Sequence, residues 1–336
     1  MRSTNYFFTA SLVLGLNSSL AQAQMKPISE FFNITTFPNE QKENVTRLLN
    51  EGRRLATDGS IHQYFQDQCI TQQVYPATFT MPPGFVNPFA AFDKFFFVGH
   101  AYVHAWAYDT GDGLVVIDAL DNQDEIEKIM IPDLEKLGYT GSDIKHLIIT
   151  HEHIDHFGGA KYIQDQFNAS VYATEAAWEG MAKQGKDSNT PVPVKDKVVV
   201  DGDVLTFGDV AFDIVQTPGH TPGTLSLIFP VVDKGKRHLA GLSGGTGTPA
   251  DKTAREHKIA SQNRFADISK AKGVDVLLSN HNVADHSLYN ADILAHRAPG
   301  ASNPYVVGVK NFYNFMRINA LCSQVIAARE GMDLDI

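Results

Sequence analysis

Cysteine is scarce: Cys69 and Cys322 are the only two in 336 residues, and neither has the neighbours of a thiol redox or thiolate metal motif. Positive charge is scarce too, since 28 Lys and Arg against 38 Asp and Glu leave a formal net charge of -10. Phosphate binding needs a basic footprint, so this balance disfavours a nucleic-acid partner and, for the same reason, an anionic membrane surface. The apolar run from Phe7 to Leu16 falls short of the roughly 20 residues that a membrane-spanning helix requires. Internal repeats and low-complexity tracts are absent. What is left is the composition of an ordinary globular chain, 43% hydrophobic and 20% charged, long enough to bury a sizeable core.

Among what is present, Arg2, the Phe7 to Leu16 run and Ala21-Gln22-Ala23 make the pattern of a signal peptide over residues 1–23, which predicts a secreted or periplasmic protein. In such an oxidising compartment Cys69 and Cys322 suit one disulfide between an N-terminal extension and a C-terminal helix; two buried free thiols are the alternative. Sequons at Asn33, Asn44 and Asn168 are glycosylation sites if the host is eukaryotic.

Residues 24–80 read as a helical extension, with Val45, Leu48 and Leu49 recurring at helical spacing after Pro38-Asn39-Glu40. The main domain is expected over residues 81–300 and a terminal helix through Phe312, Phe315, Ile318 and Cys322 over residues 301–336. Met81-Pro82-Pro83-Gly84-Phe85 marks a loop that offers an aromatic wall. Beyond it the pattern predicts a strand at 113–118, a helix at 121–137, a strand at 145–150, a helix at 160–167, a strand at 170–173 and a helix at 175–183. A polar loop at 184–194 leads to a hairpin over 204–216 that turns at Gly208-Asp209. Strands at 226–232 and 237–242, a helix at 250–272 and a strand at 274–279 follow. Two runs of strands, each followed by helices, predict an α/β fold of two facing sheets with helices outside.

Chemistry concentrates in His151-Glu152-His153-Ile154-Asp155-His156, directly after an apolar strand and before Gly158-Gly159. Imidazole and carboxylate are the donors of catalytic zinc sites, where three protein ligands leave a position open for water. Four such donors within six residues can face two metal ions, which need six in all. Two more histidines stand at strand ends, His220 in Thr217-Pro218-Gly219-His220-Thr221-Pro222-Gly223 and His281 in Ser279-Asn280-His281. The zinc-protease helix motif is excluded because Asp155, not histidine, lies four positions after His151. His62, His100, His104, His146, His238, His257, His286 and His296 have no comparable setting and read as surface or packing residues.

At these residues the chain resembles the metallo-β-lactamase superfamily, whose signature is His-x-His-x-Asp-His after a strand, a later Gly-His turn and a final strand-end His. The resemblance runs from about Phe92 to His286. It implies a four-layer αββα sandwich with two zinc ions, one held by His151, His153 and His220 and the other by Asp155, His156 and His281. Asp118 matches the acid that steadies the metal loops, and Asp155 also takes a catalytic part by orienting the attacking water. Thioester-cleaving members carry a bridging Asp where this chain runs Ala240-Gly241-Leu242-Ser243-Gly244-Gly245-Thr246. The resemblance is therefore to the lactamase subclass with Asp-His-His at the second zinc, and Ser243 is the candidate substrate-binding serine. The expectation is a secreted zinc hydrolase that opens a cyclic amide in a small-molecule substrate, with the loops at 82–89 and 184–194 setting substrate choice. A lactonase or other ester or thioester hydrolase, a zinc-binding protein without catalysis and a nuclease are the alternatives, the last disfavoured by acidity.

Overall fold

Side chains alternate across a strand, so a strand covered on both faces must be apolar at every position. Leu114, Val115, Val116 and Ile117 meet that demand: Val115 and Ile117 enter one core, and Leu114 and Val116 another. The computed structural model describes residues 37–57, 59–71 and 84–336. The signal-peptide pattern at residues 1–23, Asn33 and the Met81-Pro82-Pro83 part of the aromatic loop lie outside them.

Twelve strands are found among the described residues. The first sheet takes β1 (Phe89–Phe92), β2 (Phe95–Phe97), β3 (Trp106–Asp109), β4 (Leu114–Ile117), β5 (Ile144–Ile148), β6 (Ser170–Thr174) and β7 (Lys197–Val199) in that order. Its pairings are antiparallel up to β3–β4 and parallel from β4–β5 onward. The second sheet takes β8 (Val204–Phe207), β9 (Val210–Gln216), β10 (Leu225–Asp233), β11 (Lys236–Ser243) and β12 (Val276–Ser279), antiparallel except for the parallel pair β11–β12. The predicted hairpin is β8–β9, with Gly208 at its turn in the left-handed region.

The two sheets face each other across an aromatic core. Phe95, Phe97, Trp106 and Tyr108 from the first meet Phe212, Leu227, Phe229 and Leu242 from the second. On the outer face of the first sheet lie α3 (residues 123–136), α4 (Ile154–Phe157), α5 (Ala160–Phe167) and α6 (Glu175–Ser188), with Ile126, Met130, Ile163 and Trp178 turned inward. Outside the second sheet lies α7 (Lys252–Lys272); the short α8 (Asn282–Asp285) and α9 (Ser287–Ala295) follow β12, and α10 (Val309–Glu330) completes that outer layer. Against α7 and α10 pack α1 (Lys42–Leu55) and α2 (Gly59–Gln66), the latter prolonged by a wider turn at Asp67–Thr71. The layering is αββα, the architecture that the sequence resemblance implies.

Helix ends follow local chemistry. Asp251 accepts the Ala254 N–H at the start of α7, and Gly273 ends it at φ +81. Thr174 caps α6, which runs five residues past its predicted end, so residues 184–188 of the expected loop are helical. Gly185 argues against helix in the sequence, but in the fold its missing Cβ admits Val192, whose methyl would lie 2.1 Å from it.

Trp106 sits fully buried at the centre of the core, stacked on Phe95 at 5.1 Å and edge-on to Phe97 at 5.5 Å, with its Nε1 donating to the Ser279 carbonyl. Trp106→Ala is expected to cost about 3–5 kcal/mol of stability, a cavity of a size the surrounding rings cannot close. Urea unfolding of the variant beside the parent checks this; a loss under 1 kcal/mol by that measure would contradict a close-packed core.

Candidate metal centre

Strands β4, β5 and β12 end at one edge of the sandwich; Asp118 follows β4 directly, the Thr150 to His156 segment follows β5 after Ile149, and Asn280-His281 follows β12. Gly158, just after the cluster, packs so closely on the loop behind β4 that a Cβ there would lie 1.7 Å from the Asp121 carbonyl oxygen. His220 arrives from the turn before β10. Its preceding Gly219 has φ +140 and lies against the backbone of Lys258 in α7, leaving no space for a side chain. Glu152 fixes this turn by accepting from Thr221 Oγ1 at 2.7 Å and from the Gly223 N–H at 3.2 Å.

The six donors form two triangles. His153 Nδ1 lies 3.1 Å from His151 Nε2 and 3.0 Å from His220 Nε2. His156 Nε2 lies 3.1 Å from His281 Nε2 and 3.2 Å from Asp155 Oδ2, and the remaining edge, His281 Nε2 to Asp155 Oδ2, is 3.4 Å. Tetrahedral zinc, with nitrogens at about 2.0–2.1 Å, holds neighbouring donors about 3.3 Å apart, so these five edges are close to what the ion requires.

Ring protonation points the same way. His281 Nδ1 donates to the Tyr102 carbonyl at 3.0 Å, His220 Nδ1 to the Gly247 carbonyl at 2.9 Å and His156 Nδ1 to Asp118 Oδ2 at 2.8 Å. Thr150 Oγ1 spends its proton on Asp118 Oδ2, so at 3.1 Å from His151 Nδ1 it is the acceptor. Each of these four rings thus has its Nε2 lone pair facing its triangle, as a metal ligand must. Burial lowers the pKa of His220 to about 3 and of His281 to about 4, with other imidazoles adding to the effect. For Asp155, burial works to raise the pKa, but His156 and His281 outweigh it and hold the carboxyl below the usual range. Burial likewise opposes charge on His156, yet Asp155 and Asp118 prevail and raise it to about 10. His156 Nε2 therefore takes up a cation strongly, and a metal ion there would stand in the place of a proton.

Asp118 lies behind both triangles, fully buried. It accepts from the Thr150 N–H and Oγ1 at 2.8 Å each, from His156 Nδ1, and from Asn280 Nδ2 at 3.2 Å. Asn280 Nδ2 also reaches the Gly244 carbonyl at 2.8 Å, so strand ends from both sheets join on this one network. Thr150 and Asn280 escape the sequence reading although each precedes a ligand histidine; only the fold shows their side chains turned to Asp118.

A third group, His100 with Asp121 and Glu125, brings Nε2 to 3.7 and 3.6 Å from the carboxylates. Here His100 Nδ1 accepts the N–H groups of Tyr102 and Val103, so the ring proton sits on Nε2 and no lone pair faces the acids. This is a buried clamp between two loops, so His100 takes the packing role among the two that the sequence left open. His104 is likewise fully buried, 3.8 Å from Asp285.

A pocket of about 200 Å³ opens over the triangles, walled by Gln68, Tyr102, Thr246, Gly247 and Val283. Ser243 is not part of this wall. It is buried at the end of β11, where its hydroxyl meets Gln262 Nε2 at 3.4 Å, because strand alternation turns it toward α7 instead of the mouth. Residues 184–194 do not line the pocket either. Cys69 and Cys322 are bonded to each other. Asn168 is exposed in the left-handed conformation after α5, whereas Asn44 lies within α1, bonded to Gln41 and Arg47.

Lys258 anchors the pocket loop from below, donating to the Thr246 carbonyl, Thr248 Oγ1 and Asn319 Oδ1, all neutral oxygens. Burial, with the nearby Arg255 charge, lowers its pKa to about 7. From there up to its unfolded value of about 10.4 the unfolded chain keeps a proton the folded chain has lost, so stability rises with pH. Lys258→Met should lack that gain between pH 7 and 9; parallel urea melts with equal slopes in both proteins would refute the assignment. For the centre itself, Asp118→Asn is expected to weaken metal binding about 10- to 100-fold, chiefly at the triangle containing His156. Metal content after dialysis against graded chelator reads this out, and retention equal to the parent would count against the Asp118 network.

The comparisons with known proteins bear on the same residues. A family model described as the metallo-beta-lactamase superfamily matches residues 98–233, which include His151 to His156 and His220. An uncharacterized protein of Aquifex aeolicus is 30% identical over 128 residues, 35% of this chain and 54% of its own length. A hydroxyacylglutathione hydrolase of Brucella ovis is 31% identical over 97 residues, 29% of this chain and 32% of its own. The chain thus spans only about half and a third of these relatives. Among solved structures, the native FEZ-1 metallo-beta-lactamase from Legionella gormanii superposes with a TM-score of 0.65 at 22% identity, covering 75% of this chain and 100% of that one. BJP-1, a subclass B3 metallo-beta-lactamase of Bradyrhizobium japonicum, gives 0.59 at 24% identity over 69% and 90%. With its four-layer sandwich and the matched motif at the strand ends, the chain is similar to the metallo-beta-lactamase superfamily over residues 98–233 and has the fold of the solved metallo-beta-lactamases.

Proposed function

We propose that the protein is a zinc-dependent hydrolase that opens a cyclic amide, a β-lactam or a related lactam. The observation that carries this reading is the pair of donor triangles whose lone pairs are already oriented beneath one small pocket. His151, His153 and His220 would hold one zinc ion, and Asp155, His156 and His281 a second. When bound, such a pair supplies Lewis acidity, lowering the pKa of a water and polarising the substrate carbonyl.

The chain's own groups do the rest. Asp155, ionised at neutral pH, accepts a hydrogen bond from the attacking water and so aims its oxygen at the carbonyl carbon. Asp118, Tyr102 and Gly247 fix the imidazoles through their Nδ1 protons, so the donors need no rearrangement as charge develops. The pocket of about 200 Å³ suits a small ring and not a polymer. An exported protein suits both the residue 1–23 pattern and the Cys69–Cys322 disulfide, which persists in oxidising compartments.

The preference for a lactam rests on β11. From Ser243 to Gly247 the chain offers no carboxylate toward the metals; the Gly244 carbonyl accepts from Asn280 and the Gly247 carbonyl from His220. A thioester substrate is the second reading, favoured by the Brucella relatives, because an acylglutathione is a thioester. Zinc-loaded protein should hydrolyse benzylpenicillin with a higher kcat/KM than S-lactoylglutathione or a γ-lactone. Chelation should abolish the activity and zinc should restore it. A thioester or lactone ranked first would replace the substrate, while turnover indifferent to chelator would remove the mechanism.

A further inference from the structure

The pocket has one wall from outside the sandwich. Gln68 belongs to the turn that prolongs α2, far in sequence from every ligand, yet it borders the same pocket as His153, Asp155, His220 and His281. Its carboxamide donates to the Val283 carbonyl at 2.8 Å, two residues beyond His281. The residues on either side of it are also tied down. Asp67 Oδ2 meets His286 Nε2 at 3.1 Å, and Cys69, fully buried, is bonded to Cys322 in α10 across 253 residues of sequence. Three consecutive residues of the extension therefore make three different attachments, and the middle one faces the pocket.

A surface helix that served only to cover α7 and α10 would not need this. Val45, Leu48, Ile61, Tyr64 and Phe65 already bury its apolar face. The attachments at 67–69 fall instead where the chain passes the pocket mouth, and a covalent bond to α10 fixes that position more firmly than one buried turn could. A primary carboxamide carries two N–H donors and one acceptor, which suits a polar substituent of a substrate, a carboxylate or an amide away from the scissile bond. Among the other walls Tyr102 and Thr246 carry only hydroxyls and Val283 is apolar, so Gln68 brings the one carboxamide to this pocket.

Resting on the hydrolase reading above, we infer that Gln68 is a specificity-determining residue that contacts the polar substituent of the substrate, and that the Cys69–Cys322 disulfide is the device that positions it. The disulfide then acts on substrate binding through Gln68, in addition to any effect on stability.

The test compares zinc-loaded parent, Gln68→Ala, the double variant Cys69→Ser/Cys322→Ser, and the triple combination, with whichever of benzylpenicillin, S-lactoylglutathione and the γ-lactone the parent turns over fastest. Gln68→Ala should raise KM about three- to tenfold, the range governed by one hydrogen bond, with the loss confined to KM and zinc content intact. The disulfide variant, confirmed as folded by circular dichroism at the assay temperature, should raise KM by a similar factor. The triple variant should show no further rise, since two changes acting on one contact are not additive. An unchanged KM for Gln68→Ala overturns the assignment of Gln68, and fully multiplicative effects overturn the positioning role of the disulfide. A parent that turns over none of the three substrates refutes the hydrolase reading itself, and this inference with it; an active parent with indifferent variants refutes the inference alone.

Discussion

One buried carboxylate organises this molecule. Asp118 is fully buried on a residue at φ +64, a left-handed conformation that costs a non-glycine residue about 1–3 kcal/mol. The chain must turn there at once, because the Ala119 N–H meets the His156 carbonyl at 2.8 Å and the Leu120 carbonyl takes the Gly158 N–H at 3.0 Å. That turn aims the carboxylate at Thr150 and His156, at the two ends of the segment after β5, and at Asn280 beside His281. An unpaired buried charge costs several kcal/mol, and here four hydrogen bonds offset it. Take the carboxylate away and the Thr150 hydroxyl, the His156 ring and the Asn280 amide all lose the acceptor that sets their orientation.

Much of this is legible in the sequence and some of it is not, for physical reasons. The strand before His151 and the helix at 252–272 announce themselves by apolar period and by end chemistry, Asp251 at one terminus and Gly273 at the other. Donor-rich residues at strand ends are visible too, because imidazole and carboxylate clusters are rare in apolar surroundings. What sequence cannot show is contact by the backbone. The carbonyls of Tyr102 and Gly247 choose the tautomers of His281 and His220, and any residue type carries a carbonyl. The same limit applies to Ser243: the resemblance offers it as a substrate-binding serine, whereas its place at the end of β11, opposite Ser279, turns it toward Gln262 of α7. Gln68 carries no signal at all in the sequence, since its place at the pocket depends on a disulfide partner 253 residues away from its neighbour.

His100 shows why a count of nearby ligand types is not enough. It sits beside Asp121 and Glu125 much as His156 sits beside Asp155 and Asp118, and it is as well buried as a ligand. The difference lies in which nitrogen is committed. His156 gives its Nδ1 proton to Asp118, leaving Nε2 as a lone pair; His100 receives protons at Nδ1, leaving Nε2 as a donor. Acceptors behind a ring prepare it for a cation, and donors behind it prepare it for an anion.

The same reasoning separates the two triangles from each other. His151, His153 and His220 are three neutral rings, with neutral oxygens from Thr150 and Gly247 behind two of them. The other triangle contains the Asp155 carboxylate and a ring backed by the Asp118 carboxylate, so two negative charges lie close to it. Coulomb attraction in a buried site depends steeply on such charges. On the proposed reading, the second triangle would hold a divalent ion largely by charge. The first, with no carboxylate among its donors, would leave more of an ion's field for whatever enters the pocket, so His151, His153 and His220 would hold the ion that polarises the substrate, while Asp155 would orient the attacking water.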